Sequence, residues 1–164
     1  MSGGRRELIL VQPLKERGMK YRVVEKSTGK EVCVANIKVA STRTVIRACR
    51  LGDVSWFELR EQRGQRRSYA ILDDSAEPIG KIEFTKTSQF MPEFRLQFGG
   101  LEFIGKGAPQ ASSFEVYEKD GKLVMTVDKN LLALDDTFKI VAITDFDIRL
   151  ALAIALAIDD TFFN

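Results

Sequence analysis

One apolar run restricts this chain more than any other feature: from Ile148 to Ile158 the sequence reads IRLALAIALAI, with Arg149 as its only polar side chain. The run is rich in strong helix formers. Thr144, Asp145 or Asp147 just upstream can serve as an N-cap, where an acid accepts free backbone N–H bonds and complements the helix dipole. A helix is therefore expected over residues 146–158. A helix that is apolar all round has to be enclosed, by protein or by lipid. Eleven residues rise about 17 Å, whereas a bilayer core is about 30 Å thick and needs about 20 apolar residues. The run is too short to span a membrane. It matches instead the height of a sheet, since a strand of about 5 to 6 residues covers about 17 to 20 Å. A continuously apolar LALAIALAI is also compatible with a buried strand, because short apolar runs do not separate the two periods.

The rest of the chain reads as half-buried antiparallel strands. Ile82 and Phe84 alternate with Lys81, Glu83 and Thr85; Phe94, Leu96 and Phe98 alternate with Arg95 and Gln97; Leu123, Met125 and Val127 form a third apolar face. Turn residues separate the runs at Ser27 to Lys30, Arg63-Gly64, Asp73 to Pro78, Gly99-Gly100 and Asp120-Gly121. From Glu7 to Ala142 about twelve strands follow one another, at the spacing of a sandwich or barrel. A closed barrel of that size encloses a lumen too wide for side chains alone to fill. The apolar helix is the natural filler, and Ala151, Ala153, Ala155 and Ala157 keep it slim. The expected fold is mainly β: a closed antiparallel barrel of about twelve strands around a central hydrophobic C-terminal helix. Its strands fall within residues 7–143, in a single domain of residues 1–164.

Composition narrows the function classes. The chain has no histidine, which excludes serine–histidine triads, histidine zinc sites and histidine pH switches. Cys33 and Cys49 lie in apparent strands without metal-knuckle spacing and read as small core hydrophobes. With no charged segment leading into an apolar one ahead of the first strand, a reduced cytoplasmic location is expected. Residues 1–67 hold 16 Lys and Arg against 7 Asp and Glu, and residues 68–164 hold 9 against 16, so the halves carry +9 and −7. Such asymmetry marks a surface for an anionic partner, or two halves that neutralise each other in the fold. A pI near 8.5 and weak aromatic interleaving among the basic residues argue against nucleic acid.

The C-terminal segment LDDTFKIVAITDFDIRLALAIALAIDDTFFN, residues 134–164, resembles the end of the phospholipid scramblases: an acid-rich stretch, a Phe-x-Ile strand, Asp-x-Asp before an apolar helix, and an Ile-Asp exit followed by aromatics. The matching positions are Asp136, Phe138, Ile140, Asp145, Asp147, Ile158, Asp159, Phe162 and Phe163. Upstream, LILVQP, YRVVEKSTGKEV, SYAILDDSAEPIGKI and FEVYEKDGKLVMTV are similar to strand–turn–strand units of scramblases and LURP-one-related proteins. The resemblance thus points to the tubby-like superfamily, and implies a twelve-stranded barrel threaded by its C-terminal helix. The Pro-rich arm and palmitoylated cysteines of scramblases have no counterpart, since only Met1 to Arg6 precedes the first strand.

Three candidate sites follow. The resemblance implies Ca2+ binding by Asp135, Asp136, Asp145 and Asp147, a suitable oxygen-ligand set; the alternative is that these are turn and helix-capping residues. Here Leu134 and Ile143 depart from the scramblase pattern. Gly80-Lys81 is similar to the phosphoinositide-holding Gly-Lys-x-Arg of tubby proteins, but Glu83 stands at the Arg position, which favours a cross-strand ion pair for Lys81. The basic set Arg43, Arg47, Arg50, Arg60, Arg63, Arg66 and Arg67, with Lys20 and Arg22 on one strand face, suits anionic lipid headgroups or forms solvated strand faces. Asp73-Asp74 reads as a turn, Asp159-Asp160 as lying past the helix in solvent, and Phe162 and Phe163 as a cover for the barrel's open end. The expected function is non-enzymatic binding of anionic phospholipid headgroups at a membrane surface. A protein-interaction barrel and a scramblase are the alternatives.

Overall fold

A computed structural model of the protein describes residues 4–13, 15, 19–40, 43–50, 52, 54–64, 66–130 and 136–163. It contains twelve strands: β1 (Arg5–Gln12), β2 (Lys20–Glu25), β3 (Glu31–Ala40), β4 (Arg43–Arg50), β5 (Val54–Gln62), β6 (Ser68–Asp73), β7 (Pro78–Lys86), β8 (Glu93–Phe98), β9 (Leu101–Gly107), β10 (Ser113–Glu118), β11 (Leu123–Lys129) and β12 (Asp136–Ile143). Each pairs antiparallel with its neighbours in sequence, and β12 pairs back onto β1 in a register running from Arg5 opposite Ile143 to Gln12 opposite Asp136. Closure leaves no free edge for another chain to pair with. The expected closed barrel is present.

Period-two alternation decides which face of each strand is buried. Leu8 and Leu10, Tyr21 and Val23, Phe57 and Leu59, Ile82 and Phe84, Phe94 and Leu96, and Phe138 and Ile140 all point inward and are buried. Where two strands carry large rings, a neighbour gives way: a Cβ added to Gly105 would lie 2.1 Å from Phe94 Cζ, so glycine makes room for that ring. Gly99 and Gly100 turn the β8–β9 hairpin with φ of +55° and +84°, angles that favour glycine at both positions.

The lumen is filled by α1 (Ile148–Phe162). The Asp147 side chain caps it, accepting the Arg149 N–H at 2.9 Å and an ion pair from the Arg149 guanidinium, also at 2.9 Å. Leu150 through Ile158 are buried on every side of the helix. This settles the ambiguity between helix and buried strand. The helix begins two residues later and runs four residues further than the expected 146–158. At its start, Phe146 donates its N–H to the Ile143 carbonyl in a turn and packs edge-on against Phe103, with ring centroids 5.2 Å apart. At its finish, Phe162 meets Phe84 and Phe114 at 5.5 and 6.0 Å, and Phe163 meets Phe138 at 5.9 Å, covering that end as expected. Among the described residues no helix is long and apolar enough to cross a membrane. Cys33 is a buried free thiol, and burial, followed by the nearby Glu31 charge, pushes its pKa up to about 12. It is no nucleophile.

Candidate anion-binding rim

Because successive strands alternate in direction, the connections sort to two ends of the barrel. The helix enters at the end holding the β2–β3, β4–β5, β6–β7, β8–β9 and β10–β11 turns, and it finishes at the other. The exit end is where basic residues gather. Arg43 opens β4 there, and Arg63, Arg66 and Arg67 lie in the β5–β6 connection. Together with Glu61 these four arginines line a recess of about 340 Å³. A second recess of about 500 Å³ shares Arg63 and Arg66 and adds Lys81, Ser68 and Glu83. Residues far apart in sequence thus form one basic rim.

The arginines differ in what they are already doing. Arg67 donates from Nη2 to Asp160 Oδ2 at 2.7 Å and from Nε to Tyr69 Oη at 2.9 Å, and pairs through Nη1 with Glu61 at 3.1 Å. Partial burial works against its charge, but Tyr69, Asp160 and Glu61 outweigh that and hold its pKa above the ordinary arginine value. Arg67 is a structural clamp. Arg43, Arg66 and Lys81, by contrast, form no ion pair with any described residue, which leaves three cations able to meet an anion without first giving up a partner.

Asp159 and Asp160 correct the sequence reading, which put them in solvent past the helix. Both lie within α1, 0% and 7% exposed. Acids near a helix C-terminus oppose its dipole; burial of Asp160 is tolerated because donors converge on it, whereas Asp159 Oδ1 is buried without a hydrogen bond. The Tyr21 hydroxyl donates to Asp159, and the Tyr69 hydroxyl donates to Asp160 at 2.6 Å alongside Arg67. Burial, and next the Asp160 carboxylate, push the Tyr69 phenol pKa up. The signal lay in Tyr21 and Tyr69, two hydroxyl-bearing residues at inward positions of their strands.

The other candidates are dispersed. Lys20 starts β2 at the exit end; Arg22 pairs with Glu31 at 3.4 Å; Arg47 is exposed midway along β4. Arg60 is held by Glu58 and Arg50 lies over Trp56, 4.3 Å from the ring centroid. Lys81 faces Ala70 and Gln97 across the sheet, so the expected cross-strand ion pair gives way to a place in the recess. The calcium candidates do not converge: β12 carries Asp136 at the exit end, whereas Asp145 and Asp147 follow it at the entry end, where Asp147 is the helix cap. Asp135 lies outside the described residues, and among those described no three His, Cys, Asp or Glu come within reach of one metal ion. Asp73 is a turn residue as expected, its Oδ1 accepting the N–H groups of Ser75 and Glu77 at 2.9 Å each.

A family model described as LURP-one-related matches residues 8–159. The chain belongs to the LURP-one-related family. That family is linked with the tubby-like superfamily, in agreement with the resemblance carried by the C-terminal segment. An X-ray structure of a protein from Arabidopsis thaliana has the same fold, with a TM-score of 0.71 at 13% identity over 97% of this chain and 92% of that one. No curated protein matches the chain. The LURP-one-related match runs from the middle of β1 through β12 and most of α1, so the basic rim is built on the family's own framework.

Proposed function

We propose that this LURP-one-related barrel is a non-catalytic module that binds anionic phospholipid headgroups at a membrane surface through its exit rim. One observation carries the reading: Arg43 and Arg66, which form no ion pair with any described residue, line a single recess together with Arg63 and with Arg67, whose charge is met by Asp160 and Glu61. These ion pairs anchor Arg67, the last residue before β6, at the foot of the recess. Arginine suits phosphate, since its planar fork donates two parallel hydrogen bonds.

The test is co-sedimentation with vesicles containing phosphatidylserine or a phosphoinositide at physiological salt. Each basic residue near an anionic surface contributes about 1 kcal/mol, so Arg63→Ala with Arg66→Ala should weaken binding by roughly thirtyfold. Arg47→Ala, midway along β4, should change it little. A wild-type protein that stays in the supernatant, or a double variant that binds as well, contradicts the proposal.

A further inference from the structure

We infer that the β7–β8 connection, residues 87–92, is a tip that inserts into the interfacial zone of an anionic bilayer, carrying Phe90 and Met91 below the headgroups that the neighbouring arginines engage. The inference rests on the headgroup reading above and names how the same rim meets its membrane. Phe90 and Met91 are 73% and 63% exposed. A single exposed apolar residue is ordinary, but two adjacent large ones at a loop apex form a patch that calls for a partner.

The loop presents them in a fixed way. Its base is clipped to the β9–β10 connection, where Gly107 donates its N–H to the Pro92 carbonyl at 2.9 Å and Gln110 donates to the Gln89 carbonyl at 2.6 Å. The Phe90 N–H is held by Ser88 Oγ at 3.1 Å. The two side chains are therefore not needed to shape the loop. The segment reads Thr-Ser-Gln-Phe-Met-Pro, without a charge that would resist entry into lipid.

Charge complementarity identifies the occupant. Two strand spacings separate the β7–β8 connection from the β5–β6 connection along the rim, a distance of about 10 Å and comparable to the Debye length in physiological salt. An anionic bilayer drawn to Arg63 and Arg66 thus meets Phe90 and Met91 in the same encounter. On the far flank of Arg43, Met19 is 57% exposed beside Lys20, so the basic arc has an apolar residue at each end. Among the described residues the entry end is arranged differently. Its exposed apolar residues Val54, Leu101 and Leu123 sit on three separate turns, and Asp73, Asp74 and Glu77 occupy the turn between the first two. Lys26, Lys30, Arg50, Lys119 and Lys122 share that end with these acids, so its charge is mixed.

The experiment uses the full chain and vesicles of phosphatidylcholine with phosphatidylserine, plain or carrying brominated acyl chains. Phe90→Ser with Met91→Ser should reduce vesicle partitioning about tenfold, since burial of one large apolar side chain already has that worth. Phe90→Trp should give emission that shifts blue on binding and is quenched by brominated lipid. Trp56, the chain's single tryptophan, lies near the entry end of β5, so wild-type emission should be unaffected and serves as the reference. Binding that survives the double serine change, with the Phe90→Trp emission unquenched, overturns insertion while the headgroup reading stands. Wild-type protein that fails to bind at all overturns both.

Discussion

Asp160 shows how one residue can be misread when only its neighbours in sequence are considered. Next to Asp159 and just beyond an apolar run, it reads as the first wet position after a helix. In the barrel it is enclosed, because Arg67 and Tyr69 reach it from positions more than ninety residues earlier. Nothing local to residues 159 and 160 carries that information; it resides in the register of β5 and β6. The same contact sets a pH dependence. Unfolded Tyr69 releases its proton near the ordinary pH of 10, while burial and the Asp160 carboxylate make the folded residue keep it. Above that pH the unfolded state binds fewer protons than the folded state, so stability falls as pH rises. Urea unfolding of the wild type should therefore lose stability above about pH 10 more steeply than Tyr69→Phe. Near neutral pH the variant should be weaker by about 1.5 to 3 kcal/mol, the net worth of a hydrogen bond to a charged group. Parallel pH profiles for the two proteins would contradict this account.

At the scale of elements, α1 was the most legible part of the sequence, because its composition and length left few ways to satisfy it. Its ends were not. The start depended on a choice among Thr144, Asp145 and Asp147, which geometry makes in favour of Asp147. The finish depended on partners for the two acids. Turns built on Gly29, Gly99-Gly100 and Gly121 were readable from local chemistry, as their positive φ values require. The rim arginines were readable as a basic set, but only alternation of strand direction separates Arg43, Arg63 and Arg66 from Arg22 and Arg47. Phe90 and Met91 were hidden because apolar residues in a short loop look like the edge of a strand. The fit of α1 to its lumen makes a two-sided prediction. Leu152→Ala, which leaves a cavity, should cost about 2 to 5 kcal/mol, and Ala155→Leu, which adds volume where the residue is fully buried, about 1 to 3 kcal/mol. Equilibrium denaturation reads both, and an Ala155→Leu protein as stable as the wild type would mean the lumen is looser than described.

For the whole molecule, barrel and helix are each other's condition for stability. Inward residues of all twelve strands face either α1 or the space it occupies, so removing residues 148–163 should abolish the cooperative thermal transition. A truncated chain that still melts cooperatively would refute the filled barrel. The molecule also has two unlike ends: basic and apolar groups share the exit rim, while the entry turns mix Asp73, Asp74, Glu77, Glu118 and Asp120 with Lys26, Lys30, Arg50, Lys119 and Lys122. The net charges of the two sequence halves do not map onto the two ends, because neighbouring turns at one end come from both halves, and Arg67 with Asp160 joins one half to the other. The order of parts along the chain has a consequence for biosynthesis. All twelve strands leave the ribosome before the segment they must wrap, and the first cannot find its last partner until β12 has emerged. Nascent chains therefore carry sticky inner faces and two unsealed borders until β12 and α1 have been made. Folding should be a late, all-at-once event that profits from a chaperone shielding the unfinished sheet.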